Sequence, residues 1–231
     1  MHAFYIATLT SQLKSIYLNE EESKHACRVM RLTMGDSVEL LDGRGGRYKA
    51  KIVSDHPKKC EVEITEYKFE QQHPFEIHLA IAPTKNADRI EWLIEKATEL
   101  GLTKLSLIQT DRSERKLMKS DRLEKIAIAA MKQSHRTYLP IIEPLQSFKE
   151  FITKYPKGGI AHCEEFASQN LLSVADPLNF PVLIGPEGDF STNEVEMALK
   201  SGYVPLTLGK TRLRTETAGL YAVTLLKCKF E

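Results

Sequence analysis

The sequence predicts a small β-barrel followed by a larger α/β domain with a largely parallel sheet. Three features lead there. From Phe4 to about Glu70, runs such as "SVELLDG", "RYKAKIVS" and "CEVEITEY" place apolar residues at period two between turn signals, the pattern of half-buried strands. Beyond that point strands and helices alternate over about 155 residues, which points to a parallel sheet covered by helices. Between the two, "KFEQQHPFE", Lys68 to Glu76, is polar, carries Pro74 and breaks the alternation. The expected domains are residues 1–70 and 75–231.

A chain of 231 residues, 42% hydrophobic and 27% charged, can bury a sizeable core, and its composition excludes disordered, collagen-like and coiled-coil classes. No run reaches the roughly 18 uncharged apolar residues of a membrane helix, and "MHAFYIATLTSQLK" lacks the basic flank and long apolar stretch of a signal peptide. A cytoplasmic protein with no membrane partner is expected. Cys27, Cys60, Cys163 and Cys228 are scattered without a CxxC pair, so neither a zinc site nor a disulfide framework is expected.

Taken in order, "NEEESKHACRVMRL" predicts a short helix that sets Arg28 and Arg31 about one turn apart on one face. "DGRGG", Asp42 to Gly46, looks superficially like a phosphate loop, but its place between two strands makes it a hairpin turn. In the second part "EIHLAIA" is a buried strand. "NADRIEWLIEKATELG" is a helix with Ile90, Leu93, Ile94, Ala97 and Leu100 on one stripe and Gly101 as its stop. "KLSLIQT" is a strand again, followed by a long helix from about Ser120 to His135. Strands "GIAHC", "FPVLIG" and "VPLTLG" then alternate with helices from about Asn193 to Ser201 and Glu216 to Lys227.

The net charge of +1 conceals local asymmetry. Between Lys24 and Lys59 nine Lys/Arg face four Asp/Glu, and between Arg112 and Arg136 eight face three, so each stretch carries +5. Such runs are either solvated faces or surfaces for a polyanion.

Two loops stand out. In "LIGPEGDFSTNE", Leu183 to Glu194, a strand ends in Gly-Pro-Glu-Gly, and Ser191 with Glu194 makes a capping box for the next helix. A tight strand-to-helix turn accounts for it, yet glycines on both sides of Pro-Glu also let backbone groups approach a ligand. Ligands of open α/β sheets sit at the carboxyl ends of strands, where this loop lies. "LGKTRLRTETAG", Leu208 to Gly219, follows the next strand end. Thr215 can cap the last helix, but capping needs one hydroxyl, which leaves Thr211, Thr217, Arg212 and Arg214 unexplained. The two loops are candidates to be neighbours in space.

"LIGPEGDFS" followed about twenty residues later by "LGKTRLRTETA" resembles the paired C-terminal motifs of the SPOUT superfamily of knotted methyltransferases. With "HACRVMRLTMGD", "DRIEWLIEKATELG", "TDRSERK" and "AAMKQSHRTYLPII", the chain is similar over nearly its whole length to the ribosomal small-subunit RNA (uracil-N3)-methyltransferase family. The resemblance implies a PUA-like, RNA-binding β-barrel and a C-terminal domain with a trefoil knot that cradles S-adenosylmethionine. It also implies a homodimer, and as substrate 16S ribosomal RNA, free or within the small ribosomal subunit. Two rivals remain: another SPOUT activity, on ribose or on a transfer-RNA guanine, and a catalytically silent RNA-binding assembly factor.

On this resemblance Ile184, Gly185, Pro186, Glu187 and Gly188 form one wall of the cofactor pocket, and Leu208, Gly209, Leu213, Arg214, Thr215, Thr217 and Ala218 the other. His162 and Glu164, at a third strand end, are cofactor candidates. Arg214 is the candidate to stabilise charge on the uracil as its N3 proton leaves, and Glu216 is a candidate proton acceptor or, equally, a partner of Arg214 or of the helix N-terminus. Arg28 and Arg31 on the barrel, and Arg112, Arg115, Lys116 and Arg136 on the catalytic domain, are candidate RNA contacts. Two positions depart from the family. Asp189 stands where another glycine is common, and the start "MHAFY" lacks an arginine often found there.

Overall fold

The structure is a computed structural model that describes residues 1–163 and 169–231. It divides into two compact units, Met1–Gln72 with Met131–Leu139, and His73–Ala130 with Pro140–Glu231.

The first unit is built on β1 (His2–Tyr5), β2 (Ser15–Tyr17), β3 (Ser37–Leu41), β4 (Gly46–Ser54) and β5 (Glu61–Phe69). They form one curled sheet in the order β1-β3-β4-β5-β2, a half-barrel in which β1 and β3 are parallel and the other pairs antiparallel. Period two is visible along β4, where Tyr48, Ala50 and Ile52 are buried while Lys49 and Lys51 point out. The inward side chains join Phe4, Leu40 and Val62 in one core. Register shifts at Lys49/Ala50 and Ile52/Ser54 bend the β4–β5 ribbon, as bulges do. The hairpin expected at "DGRGG" is there, with Asp42 Oδ1 accepting the Arg44 and Gly46 amides at 2.8 Å each.

The expected single helix carrying Arg28 and Arg31 is corrected. After α1 (Glu20–Lys24) the chain widens into one π-helical turn, His25–Val29. It closes with the Met30 amide on His25 O at 2.9 Å and the Leu32 amide on Ala26 O at 3.0 Å. That closure throws Arg31 into the left-handed region, φ 55°, so the two arginines do not share a helical face, although both are exposed. Residues 131–139 belong to this unit through specific bonds. Arg47 Nη2 donates to His135 O at 2.7 Å, Thr137 Oγ1 to Glu70 at 2.9 Å and Lys132 Nζ to Glu22 at 2.6 Å.

The second unit carries seven strands, β6 (His78–Ile81), β7 (Lys104–Gln109), β8 (Ile141–Ser147), β9 (Gly158–Ala161), β10 (Gln169–Asn170), β11 (Val182–Ile184) and β12 (Tyr203–Thr207). Their order is β10-β12-β9-β11-β6-β7-β8 and every pairing is parallel, as expected. The helices are α2 (Ala87–Leu100), α3 (Ser120–Gln133), α4 (Phe148–Lys154), α5 (Leu171–Val174), α6 (Thr192–Lys200) and α7 (Thr215–Phe230). In α2 the Asn86 side chain caps the start, Gly101 ends the helix at φ 99°, and Ile90, Leu93, Ile94 and Ala97 are buried. α7 lies on β6 and α2. A Cβ at Gly219 would sit 3.1 Å from both Ile81 Cδ1 and Leu93 Cδ2, so the missing side chain sets how closely the helix approaches.

At the start of β6 a fully buried His78 meets Ser106 Oγ through Nε2 at 2.7 Å, and Ser106 donates to Glu143 at 2.6 Å. Burial pushes the His78 imidazolium down to about 3, with Lys104 adding to the effect. Burial alone would raise the Glu143 carboxyl, but hydrogen bonds from Lys154, Ser106 and Tyr155 outweigh it and hold it at about 2. Both groups bind protons more readily in the unfolded chain. Stability is therefore present at neutral pH, drains as pH falls from 6.5 through His78 and falls further below 4.5 through Glu143. Urea midpoints are expected to fall between pH 6.5 and 4.5, where ordinary carboxylates stay ionised, and His78→Gln is expected to flatten that window. An equal slope in the two proteins removes His78 from the account.

Candidate active site

Three adjacent strand ends make the site. In the order β12-β9-β11, the loops that leave their carboxyl ends are Leu208–Arg214, His162 onward and Gly185–Asp189. They surround a cleft of about 810 Å³, within the range of small-molecule sites, and a helix N-terminus closes it where α7 begins. The two loops that stand out in the sequence thus flank the end of a third strand.

Of the residues expected at the cofactor, His162, Ile184, Gly185, Pro186, Glu187, Leu208, Gly209, Leu213, Arg214, Thr215 and Ala218 line the cleft. Glu164 lies outside the described residues. Gly188 and Thr217 are exposed and do not line the cleft, and Glu216 is buried behind its wall. Arg89, Ala161, Cys163, Asp189, Leu206, Thr207, Lys210, Thr211 and Arg212 also line it. Arg89 had a signal in the sequence, since a cation in the first turn of a helix that follows a strand end is well placed for a ligand there.

The "GPEGD" loop is held by its neighbours. Asp189 adopts φ 63°, a left-handed conformation that glycine tolerates best and aspartate better than most. Its carboxylate adds what glycine cannot. Oδ2 accepts the Cys163 amide and Oδ1 the Phe190 amide, each at 2.8 Å, so two walls of the cleft are tied together. Gly185 serves the same loop, because a Cβ there would press within 3.1 Å of the Phe190 nitrogen. Its bareness serves packing inside the loop, and the residue also lines the cleft.

Two expected RNA contacts are engaged elsewhere. Arg112 Nη1 donates to Gly188 O at 2.8 Å and Phe190 O at 3.1 Å, while Arg115 donates to Thr84 O at 3.1 Å and Lys85 O at 2.7 Å. Both fasten loops around the cleft. Lys116, Arg28 and Arg31 are exposed, and Arg136 is half-buried in the 131–139 segment. Burial, then the neighbouring Asp189, pushes the Cys163 thiol up.

At the last helix, Arg214 rather than Thr215 occupies the cap position, φ −69° and ψ 154°, and no side chain caps the helix. Arg214 is exposed to the cleft. Of the alternatives for Glu216, a pair with Arg214 is not found among the described residues: Glu216 Oε1 faces Arg89 Nε at 3.8 Å, and its Oε2 has no hydrogen-bond partner among them. Arg89 also approaches Glu187 at 4.0 Å, and Glu187 accepts the Lys85 amide at 3.1 Å. Arg89 therefore links the "GPEGD" loop to the start of α7 and leaves Arg214 uncommitted.

A family model described as RNA methyltransferase domain matches residues 71–227, and one described as RNA methyltransferase PUA domain matches residues 18–65. The Ribosomal RNA small subunit methyltransferase E of Bacillus subtilis is 29% identical, covering 100% of this chain and 98% of its own length. That of a Synechocystis strain is 30% identical, over 94% of this chain and 74% of its own. Among solved structures, the Ribosomal RNA small subunit methyltransferase E of Neisseria gonorrhoeae bound to S-adenosyl methionine has a TM-score of 0.86 at 26% identity, covering 97% of this chain and 96% of that one. A protein from Porphyromonas gingivalis is similar at a TM-score of 0.87 and 36% identity, covering 100% and 98%.

Proposed function

The chain belongs to the RNA methyltransferase family, and from that premise we propose that it methylates N3 of a uridine in small-subunit ribosomal RNA, with S-adenosylmethionine as methyl donor. The observation that carries the reading is the cleft itself. "GPEGD" and "LGKTRLRT" flank one space of about 810 Å³, large enough for S-adenosylmethionine, at the strand ends where ligands of such sheets bind. Gly209, at φ 119° with no atom of the described residues within 4 Å of a built Cβ, leaves backbone open on the cleft wall. The residues fit the cofactor.

When bound, the cofactor supplies a methyl on a sulfonium, an electrophile that needs an in-line nucleophile. The chain's part is to hold the base in line and manage the proton on N3. As that proton passes to solvent water, negative charge spreads to the uracil oxygens, and the guanidinium of Arg214, beside the uncapped start of α7, is the group this reading assigns to stabilise it. Glu216 does not line the cleft, so in this reading it positions Arg89 and the helix start. Arg28, Arg31, Lys116 and Arg136, with Arg112 and Arg115 beside their carbonyl bonds, are the candidate cations for RNA outside the cleft. The reading further takes the protein as a cytoplasmic homodimer with the knotted topology of the family it resembles.

Nucleoside mass spectrometry of small-subunit ribosomal RNA treated with the purified protein and S-adenosylmethionine tests this directly. A 3-methyluridine is expected. Methyl on a ribose or a guanine would replace the N3 assignment, and a protein that binds RNA without binding the cofactor would be a silent assembly factor.

A further inference from the structure

We propose that Lys210 and Arg212, on the loop between β12 and α7, grip phosphates of the RNA at the mouth of the cleft and are not ligands of the cofactor. This rests on the methyltransferase reading above and concerns how its substrate is held.

Most cations whose place in the fold is clear are already spent. Arg44 holds the Ala7 and Leu9 carbonyls, Arg47 pairs with Glu39 and Glu70, and Arg112 and Arg115 fasten loops. On the Leu208–Arg214 loop the position is reversed. Lys210 and Arg212 are exposed, line the cleft and make no hydrogen bond or ion pair among the described residues. The carboxylates of the same cleft are committed. Glu187 accepts the Lys85 amide, and both oxygens of Asp189 accept backbone amides. Among the described residues that line the cleft, Arg89, Lys210, Arg212 and Arg214 face Glu187 and Asp189; Arg89 is met by Glu216 from behind the wall, whereas Lys210 and Arg212 have no such carboxylate. The uncapped N-terminus of the sixteen-residue α7 adds a partial positive charge at the same place.

The cofactor cannot balance those two charges. S-adenosylmethionine carries a sulfonium and an ammonium against one carboxylate, so it is itself a net cation and leaves Lys210 and Arg212 unneutralised. A polyanion fits. One or two backbone phosphates beside the target nucleotide would neutralise Lys210 and Arg212, and the loop that carries them also carries Arg214, so gripping the backbone would bring the base to the reacting centre. By linkage, RNA held there attracts the cationic cofactor and tightens its binding, and the cofactor tightens RNA binding by the same factor.

The test is the double variant K210A/R212A, with K210R/R212K as the charge-keeping control and circular dichroism to establish folding. RNA affinity is measured by fluorescence anisotropy from 50 to 200 mM salt on a single-stranded fragment, and cofactor affinity by calorimetry with and without RNA. For the alanine pair, RNA binding should weaken and the plot of log K against log salt should flatten by roughly 1.4, two phosphate contacts at about 0.7 each. Without RNA, its cofactor affinity should be unchanged or higher. The control should keep the wild-type slope. An unchanged slope in the alanine pair overturns the proposal, as does a slope equally flattened in the control, which would indicate a distorted loop. A tenfold loss of cofactor affinity without RNA also overturns it, assigning the two cations to the cofactor carboxylate instead. A wild-type protein that binds neither cofactor nor RNA would sink the methyltransferase reading itself, a different result from any of these.

Discussion

Arg214→Lys is expected to turn over roughly a hundredfold more slowly than the wild type while binding cofactor and RNA within a few-fold of it. The charge survives the change, but the planar fork that can meet a uracil oxygen with paired donors does not, and the two cations are not interchangeable where that geometry matters. The structure supplies the reason to expect a chemical defect rather than a structural one. Arg214 caps no carbonyl and pairs with no carboxylate among the described residues, and the acid two positions on, Glu216, is taken by Arg89. Losing the guanidinium should therefore leave the loop in place. Single-turnover rates at saturating cofactor and RNA read the effect directly. A normal rate removes Arg214 from the reacting centre, and a variant that loses cofactor affinity instead identifies Arg214 as a brace of the cleft wall.

Much of this architecture was legible because local signals agreed with the fold. The Ser191–Glu194 capping box, the Ile90–Leu93–Ile94–Ala97 stripe and the Gly101 stop stand where the sequence puts them, and each depends on interactions within a few residues. The misses depend on distant partners. β8 is absent from the expected strands; its "IIEPLQS" contains Pro144, and the structure places it at the edge of the sheet, where a missing amide is tolerated. The 131–139 segment reads as the tail of a helix, yet its bonds to Arg47 and Glu70 are formed with residues more than sixty positions away. That Arg112 and Arg115 hold the Gly188, Phe190, Thr84 and Lys85 carbonyls is likewise invisible in a sequence, which shows their charge and not those partners. The cleft was legible as two loops, but the Arg89 that joins them comes from a helix about a hundred residues earlier in the chain.

Gly209→Val is expected to fold and to lose S-adenosylmethionine binding by at least a factor of ten. At φ 119° the backbone of Gly209 occupies a region that side chains rarely enter, and β-branched ones least of all. Holding a valine there costs about 1–3 kcal/mol, equivalent to a shift between loop conformations of roughly five- to 150-fold. A valine that did stay would project its methyls into space now open, since no atom of the described residues lies within 4 Å of a built Cβ and the residue lines the cleft. Either way the wall of the cleft changes, while the core, to which Gly209 contributes nothing, does not. Gly188 is the contrast. It does not line the cleft, and a Cβ there would make ordinary contact with Arg112 at 3.5 Å, so Gly188→Ala should bind cofactor within about twofold of wild type on the same elementary grounds of space and backbone conformation. Calorimetry on the two variants decides the matter. Undiminished binding in a folded Gly209→Val would detach this loop from the cofactor, and a loss of binding in Gly188→Ala as deep as in Gly209→Val would move the cofactor wall toward the "GPEG" turn and away from Gly209.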